Sequence, residues 1–186
     1  KVSDLYINGE GVKNYNFGDI ANLMEGIHRP GYFNGMATIV EKFFRIIKPT
    51  KAFFGQKDLQ QLQVVKALVK QMKTSIDIIS LPTIREKNGL AKSSRNKLLS
   101  SIDKENASLI YKSLLYCKDN KSKGVKKLKQ YICEIINSNK NIELEYVEFV
   151  NLNNMQAIQD WEEENKNAIC VAAYVSGVRL IDNIIL

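Results

Sequence analysis

Two stretches in the first half of the chain carry apolar residues at three- and four-residue spacing. Met36, Ile39, Val40, Phe43, Phe44 and Ile47 predict an amphipathic helix closed by Pro49. Leu59, Leu62, Val65, Leu68, Val69 and Met72 predict a second one. TKAFFG precedes that second helix and SIDIISLP follows it; each is a short apolar run stopped by Gly55 or Pro82, the mark of a buried strand. Helix, strand, helix, strand in tight alternation predicts a parallel sheet with helices packed on it. Residues 1–30 are polar and weakly patterned, and read as loop with room for one short strand.

The pattern changes after Pro82. TIREKNGLAKSSRNKLLSS is polar and rich in turn residues. Ser100 followed by Asp103 resembles a capping box, and Ala107, Ile110, Tyr111 and Leu114 follow it at helical spacing. A further helix after Ser122 carries Val125, Leu128, Ile132, Ile135 and Ile136. ELEYVEFV reads as a strand, and AICVAAYV turns at Ser176-Gly177 into VRLIDNIIL as a hairpin. The fold class expected is therefore α/β. Residues 1–82 are expected to form a parallel sheet with helices packed on it, and residues 83–186 a smaller α+β C-terminal domain.

Composition narrows the function classes. With 45% hydrophobic residues among 186, and only ten glycines and three prolines, a disordered or collagen-like chain is excluded. No run of eighteen apolar residues is present to span a membrane, and residues 1–20 lack the apolar core of a secretory signal. Cys117, Cys133 and Cys170 are widely spaced and odd in number, which fits neither a disulfide framework nor a zinc site and points to a reducing, cytoplasmic setting. His28 is the single histidine, so no two-histidine metal site exists within the chain. The net charge of +7 favours an anionic partner. The lysines between Lys112 and Lys129 come without an aromatic nucleic-acid-reading motif and read as solvated helix faces; no nucleic acid and no membrane partner is expected.

Two segments carry candidate chemistry. At the strand–FGQKD–helix junction, a helix N-terminus at the carboxyl end of a strand is suited to anions. Gly55 there would let the backbone turn and approach a ligand. Lys57 would offer a point charge to phosphate oxygens, and Asp58 an acceptor for ribose hydroxyls. Gln61, one helical turn on, carries an amide that donates and accepts. The second segment is K-S-S-R-N, Lys92 to Asn96, where serine hydroxyls and backbone N–H groups with the Arg95 fork suit a phosphate. On pattern alone the plainer readings are favoured: Asp58 as a helix cap, Lys57 as a solvated charge, Gln61 as a surface residue and K-S-S-R-N as an ordinary loop.

Together, RPGYFNGMATIVEKFF, FFGQKDLQQLQVV, LPTIREKNGLAKSSRN and the terminal RLIDN resemble the pantothenate synthetase (pantoate–β-alanine ligase) family, from about Met24 to Asn183. The resemblance implies that residues 1–82 are the C-terminal half of a Rossmann-type nucleotide-binding domain, a partial Rossmann-type parallel sheet, and that the protein is an ATP-dependent ligase that condenses pantoate with β-alanine through a pantoyl-adenylate, using ATP with Mg2+. It implies that Gly55, Gln56, Lys57 and Asp58 contact ATP, and that Ile84 meets the adenine through its backbone. Lys92, Ser93, Ser94 and Arg95 would clamp the phosphates. Lys57, Ser93, Ser94 and Arg95 would act in catalysis, and Gln61 would hold pantoate. The two central segments are thereby expected to close around a triphosphate. No metal-binding residue is implied within the chain, and a homodimer is.

Three departures from the family pattern stand out. Tyr32 occupies the place of a histidine usual in R-P-G-H-F. Lys92 replaces an apolar residue before the two serines. The His-x-Gly-His helix start, which in the family supplies catalytic histidines, is missing from these residues, so the expectation is a truncated chain with negligible ligase activity of its own. The alternative is a non-catalytic remnant that binds nucleotide or a partner.

Overall fold

A computed structural model describes residues 11–161 and 166–186. The chain divides into two compact units, the first of residues 1–54 and 60–81, the second of residues 55–59 and 82–186.

The first unit holds helix α1 (Tyr32–Ile47), strand β1 (Lys51–Gly55), helix α2 (Leu59–Gln71) and strand β2 (Asp77–Leu81), with β1 and β2 side by side and parallel. α1 ends where Lys48 turns left-handed, directly before Pro49, which cannot continue the ladder. Its buried face consists of Phe33, Ala37 and Phe44, packed with Val64, Leu68, Val65 and Val69 of α2 in two adjoining clusters. The apolar stripe of α1 is wider than the face that α2 covers. Phe43, Ile46 and Ile47 stay exposed at 43%, 69% and 66%. Gln60 is buried beside this core and fully bonded: its Nε2 donates to the carbonyls of Ile20 (2.7 Å) and Leu23 (2.8 Å), and its Oε1 accepts from the Glu25 N–H (3.0 Å). This one side chain organises the segment before α1. Residues 11–30 hold no strand; they form a 3-10 turn (Gly18–Ala21) and a single helical turn (Glu25–His28), and the rest of the expected loop lies outside the described residues.

The second unit holds helix α3 (Ser101–Asp119), helix α4 (Val125–Asn137) and strands β3 (Ile142–Asn151), β4 (Asn167–Val175) and β5 (Val178–Ile185). The strands form an antiparallel sheet in the order β3-β4-β5. The expected hairpin is present: Val175 pairs with Val178 across Ser176-Gly177, both at positive φ (48° and 80°), the geometry that matches strand twist in a two-residue turn. Ile169, Val171, Ala173 and Val175 of the middle strand meet Leu114 of α3 and Leu128, Ile132 and Ile136 of α4 in one continuous core. The Ser100 hydroxyl oxygen caps α3 by accepting from the Asp103 N–H (3.1 Å) while its O–H donates to the Asp103 carboxylate (2.6 Å). Cys117, Cys133 and Cys170 form no disulfide, and burial pushes the Cys117 thiol up to about 12, far from a reactive thiolate.

Candidate functional site

The turn Gly55–Leu59 links β1 to α2 and packs with the second unit. Gln56–Asp58 make one 3-10 turn that runs directly into the thirteen residues of α2, so the N–H groups of the turn lie at the positive end of the helix. Gly55 has φ −69° and ψ 131°, ordinary extended backbone that any residue adopts. A turning requirement therefore does not explain this glycine. A Cβ built there meets nothing within 4 Å, so the missing side chain leaves open space against the backbone. Lys57 is half-buried, and the Asp58 carboxylate is exposed.

The stretch read as a polar loop is tightly built. Arg85 pairs with Ala91 across a short antiparallel bridge, and the Lys92 N–H donates to the Ile84 carbonyl (2.9 Å). Gly89 at the tip has φ 93°, and a Cβ there would sit 2.7 Å from the Tyr111 ring, so both backbone and packing require glycine. The Arg85 guanidinium lies 3.5 Å from the centroid of that same ring. It grips Asp182 through both carboxylate oxygens (2.6 and 2.9 Å) and donates to the Gly89 carbonyl (3.1 Å). Burial pushes the Asp182 carboxyl up, against the pull of Arg85 and of nearby Lys57.

Ser93 caps the 3-10 turn Ser94–Leu98 by accepting from the Arg95 N–H (3.2 Å), which leaves its O–H to donate elsewhere. Buried Asn96 donates to the Ala91 carbonyl (3.1 Å) and fixes the turn from below. Lys92, Ser94 and Arg95 are exposed, as is Ile84 at 71%.

The structure thus brings Lys57 and Ser93 to the walls of one pocket, with Leu90, Ala91, Ile110 and Asp182. Asn183, next along β5, donates to the carbonyls of Gln56 (2.9 Å) and Lys57 (2.8 Å). Gln61 belongs to the first unit, where its Oε1 accepts from the Tyr32 hydroxyl (2.8 Å). The Tyr32 ring lies under the Arg29 guanidinium at 3.5 Å and edge-on to Phe33.

Reasoning from sequence missed Arg85, Asp182, Asn183 and the Tyr32 hydroxyl. For the acidic–amide pair a signal existed: Asp182-Asn183 interrupts the apolar run from Leu180 to Leu186, and polar groups buried in such a run need specific partners.

Comparison with known proteins decides the family. The profile described as pantoate-beta-alanine ligase matches residues 1–185. The chain belongs to the pantoate-beta-alanine ligase family. It is 44% identical to the pantothenate synthetase of Cytophaga hutchinsonii over 176 residues, covering 91% of this chain and 61% of that one. To the Acetivibrio thermocellus pantothenate synthetase it is 39% identical, covering 100% and 66%. The crystal structure of pantothenate synthetase from Thermus thermophilus matches with a TM-score of 0.92 at 31% identity, over 99% of this chain and 67% of that one. A Francisella tularensis pantoate-beta-alanine ligase, complexed with beta-gamma ATP and beta-alanine, matches with a TM-score of 0.72 at 34% identity, over 98% and 61%. The chain spans 60–62% of the length of the curated relatives most similar to it here. The mixed α/β architecture, with a parallel pair of strands and a separate antiparallel sheet, is that of pantothenate synthetases. Among the described residues, no helix is long and apolar enough to cross a membrane.

Proposed function

We propose that this chain supplies the nucleotide-binding part of an ATP-dependent ligase that joins pantoate to β-alanine. In this reading Gly55, Gln56, Lys57 and Asp58 bind ATP, with Lys57 on the phosphates and Asp58 on the ribose. Ile84 meets the adenine through its backbone. Lys92, Ser93, Ser94 and Arg95 hold the phosphate chain, and Gln61 binds pantoate. The observation that carries the reading is the nearness of Lys57 and Ser93, which line one small, water-sized cavity, with Arg95 two residues beyond Ser93 on an exposed turn.

The chemistry runs in two transfers. A pantoate carboxylate oxygen attacks the α-phosphorus of ATP, the bond to the bridging oxygen breaks, and pyrophosphate leaves. The β-alanine amine then attacks the acyl carbon of the pantoyl-adenylate, and AMP leaves while the amine loses its proton. Lys57 and Arg95 offset negative charge that grows on the phosphates in the first transfer. The Ser93 O–H and the N–H groups of the turn donate to the same oxygens. ATP enters as its magnesium complex, with the metal as part of the substrate. The same family reading implies a homodimer in the cytoplasm.

The test is release of AMP and pyrophosphate by the full protein, with each substrate withheld in turn. Release that needs both pantoate and β-alanine supports the ligase. Lys57→Ala should then cut the rate at least a hundredfold, on the order of what one lost charge-stabilising donor costs. ATP binding without release, in the full protein, would favour the non-catalytic alternative.

A further inference from the structure

Asp182 and Asn183 are consecutive residues of β5, both buried, at 5% and 3% exposure. Between them they hold the two segments to which the nucleotide is assigned. Asp182 takes the Arg85 guanidinium through both oxygens. Arg85 in turn anchors the strap whose Ile84–Lys92 hydrogen bond leads into Ser93. Asn183 takes the other segment. Its two amide protons go to two successive carbonyls, Gln56 at 2.9 Å and Lys57 at 2.8 Å, and its own backbone N–H donates to Asp182 Oδ1 at 2.8 Å. Gln56 Nε2 closes the arrangement on Asn183 Oδ1 at 3.5 Å.

The placement of those two carbonyls matters. One belongs to the peptide before the Lys57 Cα and the other to the peptide after it. With both flanking peptide planes pinned, the direction of the Lys57 Cα–Cβ bond is set by the Asn183 side chain. A lysine whose ammonium must meet a phosphate gains from such fixation, because its flexible stem otherwise spreads the charge over many positions. A carboxamide can hold both carbonyls at once, whereas aspartate has no proton to donate and serine has one.

We propose that Asn183 is a positioning residue for Lys57, acting on nucleotide binding through that lysine alone. The inference rests on the ATP reading above. Its test is a double-mutant cycle in the full protein, with affinities for ATP and for adenosine measured by calorimetry and folding followed by thermal melts. Asn183→Asp should weaken ATP binding on the order of tenfold, as the loss of two buried hydrogen bonds implies, and leave adenosine binding as it was. On a Lys57→Ala background it should weaken ATP no further. Asn183→Ser, which keeps one donor, should lie between at about threefold, and it carries the cycle where the aspartate variant does not fold. In the unsubstituted protein, the Asn183 side-chain amide resonances should shift on adding ATP and stay put on adding adenosine. Equal losses for ATP and adenosine, a full additional loss on the Lys57→Ala background, or amide resonances indifferent to ATP would each overturn the proposal. Unsubstituted protein that binds no ATP would instead overturn the nucleotide reading, and the positioning role with it.

Discussion

Two adjacent glutamines at the start of α2 show how little residue type says without surroundings. Gln60 spends its whole amide on the backbone of Ile20, Leu23 and Glu25, so its role is to build the loop. Gln61 has its Oε1 engaged by the Tyr32 hydroxyl, which leaves its N–H groups to serve a ligand. The family resemblance singles out the second, and nothing in the local pattern separates them. Tyr32, where the resemblance leads one to expect histidine, offers both a ring for Arg29 to cover and a hydroxyl that donates to Gln61. Tyr32→Phe keeps the ring and removes the bond. In the full protein it should raise the KM for pantoate about fivefold, the worth of one hydrogen bond, while ATP affinity and the melting temperature hold. An unchanged pantoate KM would detach Tyr32 from the substrate site.

Among the elements, those with strong internal periodicity are legible in the sequence and those held by distant partners are not. α2, α3, α4 and the hairpin of β4 and β5 all announce themselves by apolar spacing and a turn or cap. The strap from Ile84 to Lys92 reads as loop because its order comes from Arg85 reaching Asp182, a residue nearly a hundred positions away, and no local window contains that pair. The apolar stripe of α1 is plain in the sequence, yet it overstates burial, since spacing marks a helix face and does not say how much of that face a neighbour covers. The capping residues of α3 are readable because the motif is contained in four positions. Ser100→Ala should therefore lower the stability of the second unit by about 1 kcal/mol in urea unfolding, with the denaturant slope unchanged. A loss near zero would mean that solvent satisfies the first turn of α3 as well as Ser100 does.

For the molecule as a whole, charge and composition delimit a class of anionic partners, and four separated motifs read in order are needed to reach a chemistry. FGQKD and SSRN taken singly give no reason to be read together; that Lys57 and Ser93 line one small cavity is a fact of tertiary structure which neither motif contains. The same holds for the response to acid and alkali, to which the first unit contributes through the pair Glu41 and Tyr15. Glu41 accepts from Tyr15, Lys13 (3.3 Å) and Arg45 (2.7 Å), and so ties residues 13–15 to α1. Burial alone would push Glu41 up, but the hydrogen bonds from Tyr15, Arg45 and Lys13 outweigh it and hold the carboxyl below its ordinary 4.5. Its contribution to stability is then complete above pH 4.5 and fades as the pH falls through the depressed folded value. Tyr15 runs the other way. Burial, with Glu41 beside it, pushes the phenol well above its ordinary 10.0, so its contribution is complete below pH 10 and fades as the pH rises through the folded value. What this cluster adds to the unfolding midpoint should accordingly be level between those limits and drop on both sides. Glu41→Gln should flatten the acid slope, and on the alkaline side it should reduce the drop without abolishing it, because burial of Tyr15 remains. A Glu41→Gln protein whose midpoints track the unsubstituted protein at every pH would show that this cluster does not govern the acid limit.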